Sequence, residues 1–141
     1  SAAQNARHAL PGLVCAYFEA GRELMEGALR PAALHRFRLD TKALRYTLEL
    51  FRPCYGPGLE RLLSELRRIQ GCLGLISDYA TCTELVASHL AGTAPERVRI
   101  EALLNARTRR KSLELRRYWK RIADAPGAER RWRSYLARPR K

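Results

Sequence analysis

The sequence predicts an all-α protein, a four-helix bundle of long amphipathic helices with a basic channel or groove. Three observations lead to this prediction. Apolar residues recur every three or four positions between clear Pro and Gly breaks. The Val, Ile and Thr alternation and the Asn-Gly turns of β-hairpins are missing. The chain of 141 residues is 46% hydrophobic, which is enough for one domain with a packed core.

The breaks define four helices with short connections, as in a helix bundle. Pro31 opens the second helix, because proline is tolerated in the first helical turn. A Pro- and Gly-rich segment over residues 53–58 separates the second helix from the third. The predicted helices span about residues 13–29, 31–52, 59–90 and 96–123. The predicted domain organisation is an N-terminal extension over 1–12, a four-helix domain over 13–123 and a basic C-terminal tail over 124–141.

The charge balance is strongly basic. Lys and Arg total 27 against 14 Asp and Glu, for a net charge of +13, and 23 of the 27 cations are arginines. This excess predicts a polyanionic partner: a nucleic acid, an anionic membrane or a phosphate polymer. No apolar run approaches the length of a membrane span, so we expect no membrane partner through a transmembrane helix. The four cysteines form no C-x-x-C pair and lack nearby histidines, so we expect no metal site and reduced thiols in a cytoplasmic protein.

The second predicted helix carries a basic row between two apolar rows. The basic row is His35, Arg38, Lys42 and Arg45. The apolar rows are Phe37, Leu44, Leu48 and Phe51 on one side, and Leu39, Ala43, Tyr46 and Leu50 on the other. A solvated helix face has charges away from a single apolar stripe. Cations flanked on both sides are therefore expected to line a groove walled by neighbouring helices and to need an anion, although a solvated face stays open.

The fourth predicted helix interrupts its core-facing stripe with cations at mid-length. These cations are Arg107, Arg110 and Lys111. An internal salt bridge to Glu49 or Glu114 is one reading of the interruption. A basic channel shared with the second helix is the other, and it is the one we expect. On the third helix, Arg67 flanks a clean apolar stripe that runs from Leu59 to Leu73.

Two segments resemble a known family. The run His35–Phe51 resembles the H-x-x-R-x-x-x-K-x-L-R-Y-x-L-E-x-F signature of CHAD domains, the conserved histidine α-helical domains. The run Leu66–Asp78 resembles that family's L-x-x-L-Q-x-x-L-G-x-x-x-D segment. The resemblance covers roughly residues 13–123 and is to one four-helix half, the second, of a module that usually has two.

The resemblance implies non-catalytic binding of inorganic polyphosphate in a groove lined by His, Arg and Lys side chains, without a cofactor. By position, the matched basic residues are His35, Arg38, Lys42 and Arg45, and the matched packing residues are Gln70, Leu73, Gly74 and Asp78. The resemblance also implies a CYTH-type enzyme domain as a partner, in the same chain or another, and a place at polyphosphate granules. A homodimer would complete the two-half module.

Other classes of function stay open at this point. A nucleic-acid-binding helical protein would use the basic surface and the C-terminal tail, where Arg130, Arg131, Trp132 and Arg133 are adjacent. However, no helix-turn-helix or RNA-binding motif is visible. An enzyme is disfavoured, because there is no Gly-rich phosphate loop and no carboxylate cluster for magnesium. A structural domain that docks to an acidic protein is the remaining alternative.

Overall fold

The computed structural model describes residues 1–140, and within that range all regular secondary structure is helical. The α-helices are α1 (Ala2–Glu26), α2 (Pro31–Leu50), α3 (Gly58–His89), α4 (Pro95–Tyr118) and α5 (Ala128–Leu136). A 3-10 turn over Arg52–Cys54 follows α2, and a π-helical turn over Trp119–Ala123 follows α4. The all-α prediction is confirmed, with a fifth short helix that was not predicted. Lys141, the last residue of the predicted tail, lies outside the described residues.

The helices form a bundle around one continuous apolar core. Helix α3 packs against α2 on one side and α4 on the other, and α1 packs against α2 and α5. The stripe predicted on the third helix is confirmed, since Leu59, Leu63 and Ile69 are at most 2% exposed. Tyr17 of α1 reaches across to α2, where its hydroxyl lies 2.9 Å from the Thr41 hydroxyl in the buried interior.

Helix α1 begins eleven positions earlier than predicted, at Ala2 instead of about residue 13. The Ser1 side chain accepts the Gln4 N–H, and the Gln4 side chain accepts the Ser1 amino group, which is a capping box. Pro11 lies inside the helix. An internal proline costs about 3 kcal/mol, yet Leu10 and Val14 on either side of Pro11 are fully buried. Burial of this part of α1 outweighs the proline, so the predicted start of the first helix at about residue 13 was wrong.

The predicted C-terminal tail contains helix α5, which packs against α1. Leu136 is fully buried, and its carbonyl accepts a 2.7 Å hydrogen bond from the Tyr55 hydroxyl. Arg22 of α1 donates to Asp124 at 2.9 Å and to Glu129 at 3.2 Å, which joins α1 to both ends of the turn before α5. The hydrogen bond that Arg22 donates to Asp124 raises the pKa of Arg22. The predicted basic tail therefore contains a packed helix over residues 128–136.

The π-helical turn closes the bundle against α1. Trp119 is 2% exposed and lies among the rings of Tyr17, Phe18 and Phe37. Its indole covers Gly21 so closely that a Cβ there would overlap the ring. Gly21 is thus required for the close approach of α1 to this turn.

The far half of the α3–α4 hairpin extends past the other helices. Between Ile76 and Leu104 no residue is buried. Leu103 of α4 belongs to this half of the hairpin and is 51% exposed. The reason is length, because α3 has 32 residues and α2 only 20, so α2 offers no packing surface at that level.

Candidate anion-binding groove

The basic row of α2 lies along its border with α3. Arg38, Lys42 and Arg45 are half-buried, and His35 at the N-terminal end of the row is exposed. The contact of Arg67 on α3 with Glu49 on α2, at 3.7 Å, fixes which side of α3 faces the row. Residues that follow Arg67 at helical spacing lie on the same side of α3. These residues are Gln70, Gly71, Gly74 and Asp78.

Three side-chain atoms at this border are buried without a hydrogen-bond partner among residues 1–140. They are Arg38 Nε, Arg45 Nε and Gln70 Oε1. A buried donor or acceptor that stays unpaired costs about 1–3 kcal/mol, so such groups normally have a partner. Two guanidinium donors and one amide acceptor on facing helices therefore form a site that is prepared for a polar ligand. Sequence reasoning placed Gln70 only among packing residues and missed this role.

The charges along the row are unevenly balanced. The Glu49 carboxylate lies 3.4 Å from Arg45 and 3.7 Å from Arg67 at the C-terminal end of the row. Glu60 pairs with Arg52 at 2.9 Å and lies 4.0 Å from Arg67.

His35, Arg38 and Lys42 have no carboxylate within 4.0 Å in the described part of the chain. The uncompensated positive charge is therefore concentrated in the middle and N-terminal part of the row. Arg45 is also held by its neighbour, because its guanidinium carbon lies 4.6 Å from the centre of the Tyr46 ring.

Two positions of α3 beside the groove are glycines and so carry no side chain. A Cβ built on Gly71 or Gly74 would meet no atom within 4 Å. Glycine in the middle of a helix costs about 0.5–1 kcal/mol relative to alanine. No contact within the chain requires glycine at either position, so the two glycines leave open space beside the basic row.

The α4 cations do not join the row. Lys111 donates to Glu114 at 2.9 Å, and this hydrogen bond raises the pKa of Lys111. Glu114 in turn lies 3.9 Å from Cys72 Sγ, on the side of α3 that faces away from Arg67. Arg110 lies in a separate pocket, and Arg107 is exposed. Helix α3 thus separates these cations from α2, and the expectation of one channel shared by the two helices within the chain was wrong.

The two apolar rows of α2 differ in burial. Phe37, Leu44 and Leu48 are buried in the core as expected. Leu39, Tyr46 and Leu50 are 51%, 53% and 75% exposed, so the outer row has no cover within residues 1–140. The basic row therefore has a neighbouring helix on the α3 side alone. The site is a groove rather than a channel.

The described residues lack three other features: a metal-binding cluster, a disulfide bond and a membrane-spanning helix. Residues 1–140 contain no group of three or more His, Cys, Asp or Glu placed to hold a metal ion. All four cysteines are free. None of the helices described is both long and apolar enough to cross a membrane.

The fold and the groove define an all-α protein with a cationic surface between two helices. The family model for the CHAD domain matches residues 1–87, which take in α1, α2 and most of α3. The match covers more than half of the chain, and the chain belongs to the CHAD-domain family. The matched region begins at residue 1, so it includes the residues that were expected to precede the domain, and it ends before α4. CHAD domains are associated in general with polyphosphate binding. Neither the curated proteins nor the solved structures gave a match.

Proposed function

We propose that this chain binds inorganic polyphosphate, without catalysing a reaction on it, in the groove between α2 and α3. The observation that carries the proposal is the pair of buried, unpartnered Nε–H donors of Arg38 and Arg45 beside a row of cations. Membership of the CHAD-domain family supports polyphosphate as the anion.

The chemistry of the groove suits a phosphate polymer. Arginine binds phosphate oxygens through paired N–H groups, and lysine adds a point charge between the two arginines of the row. Polyphosphate carries about one negative charge per phosphate and no bases, so affinity comes from charge-assisted hydrogen bonds and counterion release. His35 stands at the exposed end of the row, where it would contact a chain that continues out of the groove.

The proposal of a binding role rather than catalysis is supported by the state of the nearby carboxylates. Phosphoryl transfer uses carboxylates to hold magnesium against the phosphates. Two carboxylates at the C-terminal end of the row, Glu49 and Glu60, are instead paired with arginines.

A second copy of the chain is the proposed cover for the outer face of α2. An isologous two-fold contact through Leu39, Tyr46 and Leu50 would bury apolar surface and bring two basic rows together. Polyphosphate would then neutralise the like charges that face each other. Light scattering after size-exclusion chromatography tests this proposal, and a strict monomer at high concentration with polyphosphate present would contradict it. A CYTH-type enzyme domain as partner, and a place at cytoplasmic polyphosphate granules, stay predictions.

Titration calorimetry with long-chain polyphosphate tests the proposed function. The groove variant R38A/K42A/R45A is compared with a control variant, R109A/K120A/R130A. The control also removes two arginines and one lysine, but from exposed positions outside the groove. We expect the groove variant to lose at least about tenfold in affinity, since its contacts are charge-assisted, and the control less than about threefold. Equal losses in the two variants would mean that net charge alone attracts the polymer.

A further inference from the structure

A second cationic surface lies on the other side of α3, away from the groove. It is built from exposed arginines of α3, α4, the π-helical turn and α5, and we refer to it as the arginine face. Its members are Arg61, Arg68, Arg110, Arg117, Arg121 and Arg131.

The arginine face is poorly neutralised. Within residues 1–140, none of its six arginines has a carboxylate oxygen within 4.0 Å. Two carboxylates lie at its floor. Glu114 is already held by Lys111 at 2.9 Å, and in the described residues no arginine lies within 4.0 Å of the Glu65 carboxylate. The surface is therefore open to an external anion along its length.

Two adjoining cavities with aromatic side chains in their lining lie on this face. One, of about 610 Å³, is lined by Trp132 and Tyr135, and the other, of about 390 Å³, by Tyr118 and Leu113. Arg121 and the half-exposed Ile122 line both cavities, so the two are neighbours.

Arginines and partly buried aromatic rings lie side by side on this surface. The Arg68 guanidinium carbon lies 4.8 Å from the centre of the Tyr118 ring, and Trp132 meets Tyr135 edge to face at 6.1 Å. Inorganic polyphosphate presents only oxygen atoms and gains nothing from aromatic or apolar walls. A single-stranded nucleic acid presents phosphates for the arginines and planar bases for the rings, which is the combination that single-strand binding proteins use.

We propose that the arginine face binds single-stranded nucleic acid, at a site separate from the polyphosphate groove. The two sites lie on different faces of α3, because Arg67 and Arg68 are consecutive residues and so point about 100° apart. The proposal does not depend on the function proposed for the groove, because the two share no side chain.

Fluorescence anisotropy of a labelled oligothymidylate, with the full chain, tests the proposal. The face variant R68A/R117A/R121A is compared with the groove variant R38A/K42A/R45A, since each removes three cations. We expect the face variant to bind oligothymidylate at least about tenfold more weakly while it keeps its affinity for polyphosphate. The groove variant should show the reverse pattern. Loss of both ligands in the same variant would overturn the proposal, because a single polyanion site would then explain all binding.

Two further measurements separate base stacking from simple charge attraction. An abasic oligonucleotide of the same length keeps the phosphates, and we expect it to bind at least about fivefold more weakly than oligothymidylate. Trp119 is 2% exposed, so a ligand that stacks should quench the emission of Trp132 in the unmodified chain and not in W132F. Equal affinity for the abasic strand, or no quenching, would show that the arginine face binds only phosphate groups, and this result would overturn the proposal.

Discussion

The Glu49 carboxylate of α2 lies 3.7 Å from the Arg67 guanidinium of α3, and this ion pair spans the C-terminal end of the groove. The same carboxylate oxygen lies 3.4 Å from Arg45, so one carboxylate pairs with a cation from each of the two helices. An incoming phosphate needs the same two guanidinium groups. Glu49 therefore competes with the ligand at this end, while the cations nearer the N-terminus of α2 are free to bind it.

Replacing Glu49 by glutamine is expected to strengthen polyphosphate binding by about two- to fivefold. The substitution keeps the shape of the side chain and removes the charge that occupies Arg45 and Arg67. Because both ion pairs are part-exposed, the free energy of unfolding should change by less than about 1 kcal/mol. Calorimetry measures the affinity, with E96Q on α4 as the control for loss of one remote negative charge. Weaker binding by E49Q would show that the carboxylate positions the arginines instead of competing with the ligand.

The two groove glycines are expected to tolerate alanine, and the chain should become more stable. Each of Gly71→Ala and Gly74→Ala should raise the free energy of unfolding by about 0.5–1 kcal/mol, because a Cβ meets open space and the unfolded chain loses freedom. Urea unfolding checks this. Gly21→Ala is the contrasting variant and should destabilise the protein, since its Cβ overlaps Trp119. Destabilisation by the groove substitutions would mean that the glycines serve packing in the chain.

The salt dependence of polyphosphate binding should report the number of cations in the groove. For a flexible polyanion, the slope of log K against log salt is about −0.7 for each neutralised charge. The groove variant R38A/K42A/R45A should therefore show a slope shallower by about two. In R109A/K120A/R130A the slope should stay close to that of the unmodified chain. An unchanged slope in the groove variant would place the contacts elsewhere.

The attachment of the C-terminal helix should weaken at high pH. Burial raises the pKa of Tyr55 to about 12, from an ordinary value of 10.0. The folded state thus favours the neutral hydroxyl, which donates to the Leu136 carbonyl. Its contribution to stability is complete below about pH 10 and is lost as the pH rises toward about 12.

Urea unfolding at a series of pH values from 9 to 12 measures this loss. In Tyr55→Phe the protein should be less stable at neutral pH, because the Leu136 carbonyl loses its partner. Its stability should also fall less steeply between about pH 10 and 12 than that of the unmodified chain. Tyr46→Phe, at a 53% exposed position, is the control and should keep the original pH dependence. Parallel pH curves for all three proteins would contradict the account of Tyr55.

Sequence periodicity predicted the faces of single helices better than it predicted their neighbours. The rows of α2 followed from helical spacing, and the buried side chains of Phe37 and Leu48 confirm the core-facing row. Periodicity does not say which helices pack together, so it could not show that α3 separates Lys111 from Arg38. It also could not weigh Pro11 against the burial of Leu10, a balance that depends on tertiary contacts. The open space at Gly71 and Gly74 is likewise visible only once the helices are placed.

The most direct test of the groove is a measurement on the guanidinium Nε–H groups themselves. Nuclear magnetic resonance of these groups, recorded during titration with polyphosphate, distinguishes individual arginines. The structure predicts the largest changes at Arg38 and Arg45, whose Nε atoms are buried without a partner, and small changes at exposed Arg109 and Arg130. Changes spread evenly over the exposed arginines, or centred on the arginine face, would contradict polyphosphate binding in the groove between α2 and α3.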